Sequence, residues 1–284
     1  SMLVSEADGG GSFSRHGILD AVLVAEEMGA AVAPGPLVPT NVVAATISRH
    51  GTDGQKAAWL PGLLSGELIG AWVAGDGAIV EAGAQADVFL VTGADGAQRI
   101  VAAADATVAP LGGLDLVRRF ARVDVPVGVG ESIGGDGERE LLIAVTLQCA
   151  ETCGVIQRIF DMTLEYMGDR YSFGRPISSY QALKHRMADN KMYVEASHAV
   201  TSAAARAVAD EAADVAVQVS AAKSYIGALA TEMIQDCVQL HGGIGVTWEH
   251  DLHLYLRRAT VNRATYGTPA AHRDRIATAL VGAA

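Results

Sequence analysis

Aromatic residues are scarce in this 284-residue chain, at 5% of positions, although half of all residues are apolar. Apolar bulk carried by alanine and small aliphatics rather than by rings suits closely packed helices. Three cysteines are too few for a disulfide framework. Cys149 and Cys153 stand four apart on one helical face, so buried, reduced thiols and a cytoplasmic protein are expected. Basic residues are also short, and the net charge of −11 argues against nucleic acid or an anionic membrane surface as partner. No apolar run reads as long enough to span a bilayer, and no signal peptide opens the chain.

What remains divides into three expected domains. Residues 1–70 read as a short helical domain. A loop precedes a helix capped at Ser14, with Ile18, Val22, Ala25 and Met28 on one face, and Pro34, Pro36 and Pro39 end it in a rigid connection. A second helix is expected from about Asn41 to Ser48, and a third, capped by Asp53, runs through Leu64. Residues 71–134 carry short apolar runs between Gly and Asp, the pattern of a small antiparallel β domain. Residues 135–284 read as an antiparallel four-helix bundle, opened by apolar spacing through Leu142, Val145, Cys149, Cys153, Ile156, Phe160 and Met167. The fold class is therefore α+β, mainly α.

One stretch, Arg170-Tyr-Ser-Phe-Gly-Arg-Pro-Ile-Ser-Ser-Tyr-Gln181, separates two long helical patterns. Gly174 and Pro176 break the periodicity, so Arg170 lies near one helix end and Gln181 near the next helix start. A guanidinium and donors beside a helix N-terminus suit a phosphate, although a surface corner with an ordinary Arg has the same spacing. Gln239-Leu-His-Gly-Gly-Ile-Gly245 is a second such place: paired glycines allow a ligand to approach the main chain, or simply stop a helix. Glu195-Ala-Ser-His198 matches half of a di-iron pair without a second copy. Glu249, His250 and His253 lack a His-Glu-x-x-His spacing, so no metal is expected.

The run YMGDRYSFGRPISSYQALKHRMADNKMYVEASHA, followed by QLHGGIGVTWEHDLHLYLRRA, resembles the acyl-CoA dehydrogenase family of flavoenzymes. The likeness continues upstream in VAEEMGAAVAPGPLVPT and KAAWLPGLLSGELIGAW. It implies FAD as cofactor, an acyl-CoA thioester as substrate, and an electron acceptor such as an electron-transfer flavoprotein. It also implies a homo-oligomer, or a hetero-oligomer with another such subunit. Carried over, the residues holding the pyrophosphate and adenosine end of FAD are Arg170, Ser172, Phe173, Gln181, Gln239, Gly242, Gly243 and Thr268, reaching the flavin of a neighbouring subunit.

The same resemblance implies a carboxylate base for the substrate α-proton. The usual place is Tyr266 here, a phenol with a reference pKa of about 10 and so a poor base. The other place is Ala144. Glu151, two turns on, is a further candidate, and no catalytic residue is assigned. In the middle domain Val73-Ala-Gly-Asp-Gly77 stands where the flavin-facing motif should be, and Ala78–Asp87 resembles the flavin-edge strand without its Trp and Thr. The N-terminal region resembles only the second half of the family's N-terminal domain. Two readings follow: a flavin-dependent α,β-dehydrogenase subunit, or a non-catalytic partner completing another chain's FAD site and substrate pocket.

Overall fold

The computed structural model describes residues 1–75 and 79–282. Asp76, Gly77 and Ala78 lie outside the described residues, so the end of the Val73–Gly77 motif is not described. The chain forms two compact units. The first holds residues 1–21 and 34–147, and the second holds 22–33 and 148–284. Helices α1 (Gly17–Ala30) and α4 (Glu138–Asp169) each begin in the first and end in the second.

In the first unit, α2 is Leu37–His50 and α3 is Asp53–Ser65. Both differ in detail from the sequence reading. Pro39 does not belong to a stop: it sits in the first turn of α2, where the missing N–H costs nothing. Thr52, not Asp53, caps α3, because Gln55 three residues on completes a reciprocal capping box. Ser14 caps only the turn before α1, its Oγ accepting the His16 N–H at 3.1 Å.

The strands described in the first unit form two sheets. One has the order β1 (Gly70–Ala74), β3 (Val88–Thr92), β4 (Gln98–Ala102), β7 (Glu131–Ile133). The other has the order β2 (Ile79–Glu81), β6 (Phe120–Asp124), β5 (Thr107–Leu111). Pairing is antiparallel, as the alternation predicts, except that β1 and β3 run parallel. The reason is topological: β2 lies between them in sequence but pairs in the other sheet, so the chain returns beside β1 in the same direction. Val80, Phe89, Val101, Ala121 and Val123 form the core there. Against α2, Gly70 meets the side chain of Val43 so closely that a Cβ would stand 2.9 Å from it.

In the second unit, α4 continues from Gln148 and is followed by α5 (Gln181–Ala209), α6 (Val215–His241), α7 (Leu252–Ala264) and α8 (Pro269–Gly282). α6 packs against α5, α7 and α8. Ile156, Ile159, Met167, Ile226 and Ile234 are fully buried, each contributing about 1.5–3 kcal/mol of apolar burial. Segment 22–33 lies on α4 with backbone in contact with backbone. A Cβ on Gly154 would stand 1.8 Å from the Glu26 carbonyl oxygen, and one on Gly29 would stand 1.9 Å from that of Glu151. By length and composition α4 could cross a bilayer, which the sequence reading did not expect, but its apolar stretch is 89% buried inside the protein. The thiols are buried and reduced as expected. Burial pushes Cys149 up to about 11 and Cys237 up to about 11, and raises Cys153 as well.

Candidate functional site

Three helix ends meet at one end of the second unit. α4 stops at Asp169, and the chain turns through a minimal hairpin of β8 (Tyr171–Ser172) and β9 (Arg175–Pro176). Arg170 anchors both sides of it, its N–H donating to Tyr166 O at 2.9 Å and its carbonyl accepting from Ile177 N at 2.8 Å. The two turn residues, Phe173 and Gly174, both have positive φ, 51° and 80°, as a tight hairpin turn demands. Glycine does this freely, whereas phenylalanine does so under strain. Yet Phe173 is also 96% exposed.

The hairpin leads into α5. Tyr180 donates its hydroxyl to Ser172 O at 2.9 Å, and the Arg175 guanidinium lies 4.0 Å over the Tyr180 ring. Gln181 is the first residue of α5 and is exposed. Farther along, Arg186 Nε donates to Asp236 Oδ1 at 2.9 Å and Asn190 Nδ2 to Asp236 Oδ2 at 2.9 Å, which ties the start of α5 to the end of α6. In the run Lys184-His185-Arg186, Lys184 and His185 are exposed, while Arg186 is in this pair.

α6 ends at His241, and Gly242 turns the chain with φ 65°. Nothing lies within 4 Å of a Cβ placed on Gly242 or Gly243, so their main chain is open to approach. Gly245 is different: its Cβ would meet Val238 O at 2.5 Å, so this glycine serves packing. The ends of α4 and α6 are joined directly. Tyr166 donates its hydroxyl to His241 O at 3.1 Å, and the two rings stack at 4.4 Å. Arg170 is thus one turn beyond one member of the stack, and Gly242 is next to the other.

Arg170, Ser172, Phe173, Gln181, Gln239, Gly242 and Gly243 therefore belong to one end of the helical unit. Arg170, Phe173, Gln181, Gln239, Gly242 and Gly243 are exposed there, and Ser172 is half-buried. Thr268 is placed otherwise. It opens α8, its Oγ1 accepting the Ala271 N–H at 3.2 Å, and none of its hydrogen bonds involves this corner.

The three base positions come out unequally. Ala144 is buried. Tyr266 is half-buried in the turn between α7 and α8, at φ 57°, with its carbonyl bonded to His272 Nε2 at 2.9 Å. Glu151 is 5% exposed and committed on both oxygens: Arg258 donates to Oε1 at 2.6 Å, and Asn262 donates to Oε2 at 2.9 Å. Both carboxylate oxygens are thus engaged by side chains of α7. Beside it, Lys223 Nζ donates to Gln148 Oε1, to Asn262 O, and to Thr265 O at 2.9 Å. That ammonium covers the carbonyl end of α7, where a cation is favourable.

Glu195 pairs with Lys191 at 2.6 Å, and His198 Nδ1 lies 3.4 Å from Glu26. Among the described residues no cluster of His, Cys, Asp or Glu could hold a metal.

In the first unit a cavity of about 440 Å³ is lined by Pro34, Pro36, Gln85, Arg119 and a buried ion pair, Glu81 Oε1–Arg118 Nε at 3.1 Å. Glu81 lies on β2, in the run resembling the family's flavin-edge strand. Sequence reading missed Arg118 in this unit and Arg258, Asn262 and His241 in the second. Arg258 and Asn262 stand four apart on α7, a spacing that puts both on one face. His241 was inside a glycine motif that drew the eye to its glycines.

Comparisons with known proteins agree with this architecture. Residues 1–67 match the N-terminal domain model of the acyl-CoA dehydrogenases, and residues 141–281 match their C-terminal domain model. The acyl-CoA dehydrogenase IpdE2 of Mycolicibacterium smegmatis is 35% identical over 89% of this chain and 76% of its own length. Among solved structures, the ChsE4–ChsE5 complex from Mycobacterium tuberculosis superposes with TM-score 0.85 at 26% identity, over 98% of this chain and 84% of that one. A variant of the Tcur3481–Tcur3483 steroid acyl-CoA dehydrogenase superposes with TM-score 0.88 at 26% identity, over 99% and 86%. The chain belongs to the acyl-CoA dehydrogenase family.

Proposed function

We propose that this chain is one subunit of a hetero-oligomeric, FAD-dependent acyl-CoA dehydrogenase. It contributes the corner that grips the cofactor's diphosphate, and a partner chain seats the flavin ring and supplies the base. The observation that carries the reading is the Tyr166–His241 stack, which brings the Arg170 turn and the open Gly242–Gly243 turn to one place. The residues there fit a diphosphate. Arg170 offers a two-pronged cation, α5 begins beside it with its positive end, and the glycines leave their main chain uncovered.

Bound FAD supplies the hydride acceptor for α,β-dehydrogenation of an acyl-CoA thioester. This chain's residues bind and orient it. Its own base positions do not serve the proton transfer, since Glu151 is paired with Arg258 and the other two places hold Ala144 and Tyr266. The run around β2 that resembles the flavin-edge strand lacks its Trp and Thr and carries Glu81, buried in a pair with Arg118. The exposed, strained Phe173 supports a site completed across an interface. The names of a relative and a structural neighbour, an acyl-CoA dehydrogenase and a steroid acyl-CoA dehydrogenase, support a steroid-type acyl-CoA substrate, and the family resemblance implies an electron-transfer flavoprotein as acceptor.

The test is spectroscopic. The chain purified alone is expected to be colourless, and co-expression with a second dehydrogenase chain should give a yellow complex bleached by acyl-CoA. Arg170→Ala should weaken flavin retention in that complex about ten- to a hundredfold, since a charge-assisted phosphate contact contributes about 1.5–3 kcal/mol. Unchanged flavin occupancy in Arg170→Ala would refute the reading.

A further inference from the structure

Both halves of the diphosphate corner hang on one imidazole. His241 is 2% exposed. Its ring stacks on Tyr166 of α4 and meets His250, from the connection to α7, edge-on at 4.8 Å. Its Nδ1 lies 2.9 Å from Cys237 O, one turn back on α6. A carbonyl accepts only, so Nδ1 carries the hydrogen and Nε2 is the bare nitrogen. Nε2 is buried and has no hydrogen-bond partner. An unfilled acceptor there is a modest cost. A proton there would make a buried cation whose new N–H meets nothing, a larger one.

We infer that His241 is a positioning residue for the diphosphate corner, holding the Arg170 turn and the Gly242–Gly243 turn in register only while its imidazole is neutral. The identity of the ligand rests on the reading given under Proposed function, whereas the lock itself rests on the rings. Tyr166 transmits it in one direction, because Arg170 N–H is bonded to Tyr166 O. Gly242 transmits it in the other, being bonded in sequence to His241. Among the described residues, the titratable groups in ring contact with it are Tyr166 from α4 and His250 from the connection, while Cys237 reaches it through its carbonyl. Burial pushes the Cys237 thiol up to about 11, so it stays uncharged. His250 accepts the Leu252 N–H on Nδ1 at 3.3 Å.

The direction of the pH effect follows. Burial, joined by His250, holds His241 below its ordinary value of 6.5 against the opposing bond to Cys237. The folded state thus binds this proton more weakly than the unfolded one. The lock is intact above about 6.5, and its contribution is lost as pH falls below that value towards the lowered folded pKa.

The experiment is calorimetric binding of ADP to the chain in its assembled form, from about pH 8 to about pH 5.5. Wild-type affinity should fall about tenfold over that range. His241→Phe keeps a ring in the stack and cannot titrate, so its profile should lack that fall. The nucleotide's own titration is common to both proteins and cancels in the comparison. Tyr166→Phe, which removes one hydroxyl and leaves the stack, should weaken ADP about fivefold at every pH. Identical profiles in wild type and His241→Phe would overturn the inference, as would wild-type affinity rising in acid through attraction of an imidazolium for phosphate. If folded wild type binds no ADP at any pH, the nucleotide reading fails instead. The lock is then judged by NMR titration of His241: a midpoint below 6.5, with Tyr166 signals moving over the same range, supports it, and one at or above 6.5 ends it.

Discussion

Arg258 is completely buried, and its charge is answered by Glu151 at 2.6 Å. Replacing it by methionine keeps most of the volume and removes the guanidinium. Glu151 then remains in the interior without its cation, which costs about 3–5 kcal/mol. The Ala33 carbonyl also loses donors at 3.3 and 3.4 Å, adding about 1 kcal/mol. At roughly 2–4 °C per kcal/mol for a chain of this size, Arg258→Met should lower Tm by about 10 °C or more. Glu151→Leu alone should cost a similar amount by stranding the arginine. The double variant Glu151→Leu/Arg258→Met removes both charges and should recover to within about 1 kcal/mol of wild type. Thermal and urea unfolding of the four proteins measure the cycle. The same double variant decides the functional question. If Glu151 is structural, its assembled complex should retain turnover within about tenfold of wild type. If Glu151 is the base, a stable double variant would lose several orders of magnitude. A single Arg258→Met variant melting within 2 °C of wild type, or a stable double variant without activity, would refute the reasoning.

Three further outcomes are expected. Gly154→Ala places a methyl 1.8 Å from the Glu26 carbonyl oxygen and should destabilise by about 3 kcal/mol or prevent folding, whereas Gly168→Ala, with nothing within 4 Å, should be neutral or slightly stabilising; circular dichroism melting separates them. Asp20 is held down to about 2, chiefly by the Ser12 hydroxyl with help from the Ser14 and Phe13 amides. Its stabilising effect is therefore complete above the unfolded value near 3.9 and lost as pH falls through about 2, and an NMR carboxyl titration with an ordinary midpoint would contradict it. Tyr266→Phe should leave turnover of an assembled complex within about tenfold, because a phenol, with a reference pKa of about 10, makes a poor base; a loss of several orders of magnitude would restore Tyr266 to the chemistry.

The parts of this protein that were legible in the sequence are those decided within a few residues. The spacing of Val145, Cys149, Cys153 and Ile156 marks the buried face of α4, and Gly174-Arg-Pro176 announces a break, because both depend only on local geometry. Even the errors at helix starts were errors of one local rule over another: Thr52 and Asp53 are both good caps, and only Gln55 distinguishes them. The parallel pairing of β1 with β3 was not legible, since alternation reveals a strand but not the neighbour it finds. The pairing of Glu151 was not legible for the same reason. Its helix position is local, but its partners Arg258 and Asn262 arrive 107 and 111 residues later. The candidate corner falls between these cases. Its pieces are helix ends, which punctuation residues write plainly, while their assembly depends on Tyr166 meeting His241 across 75 residues of chain. A buried ring stack of that kind has no local signature. Once α4 and α6 are packed antiparallel to α5, however, their C-terminal ends must lie together beside the start of α5. The fold's topology, more than any single motif, is therefore what brings Arg170 to Gly242.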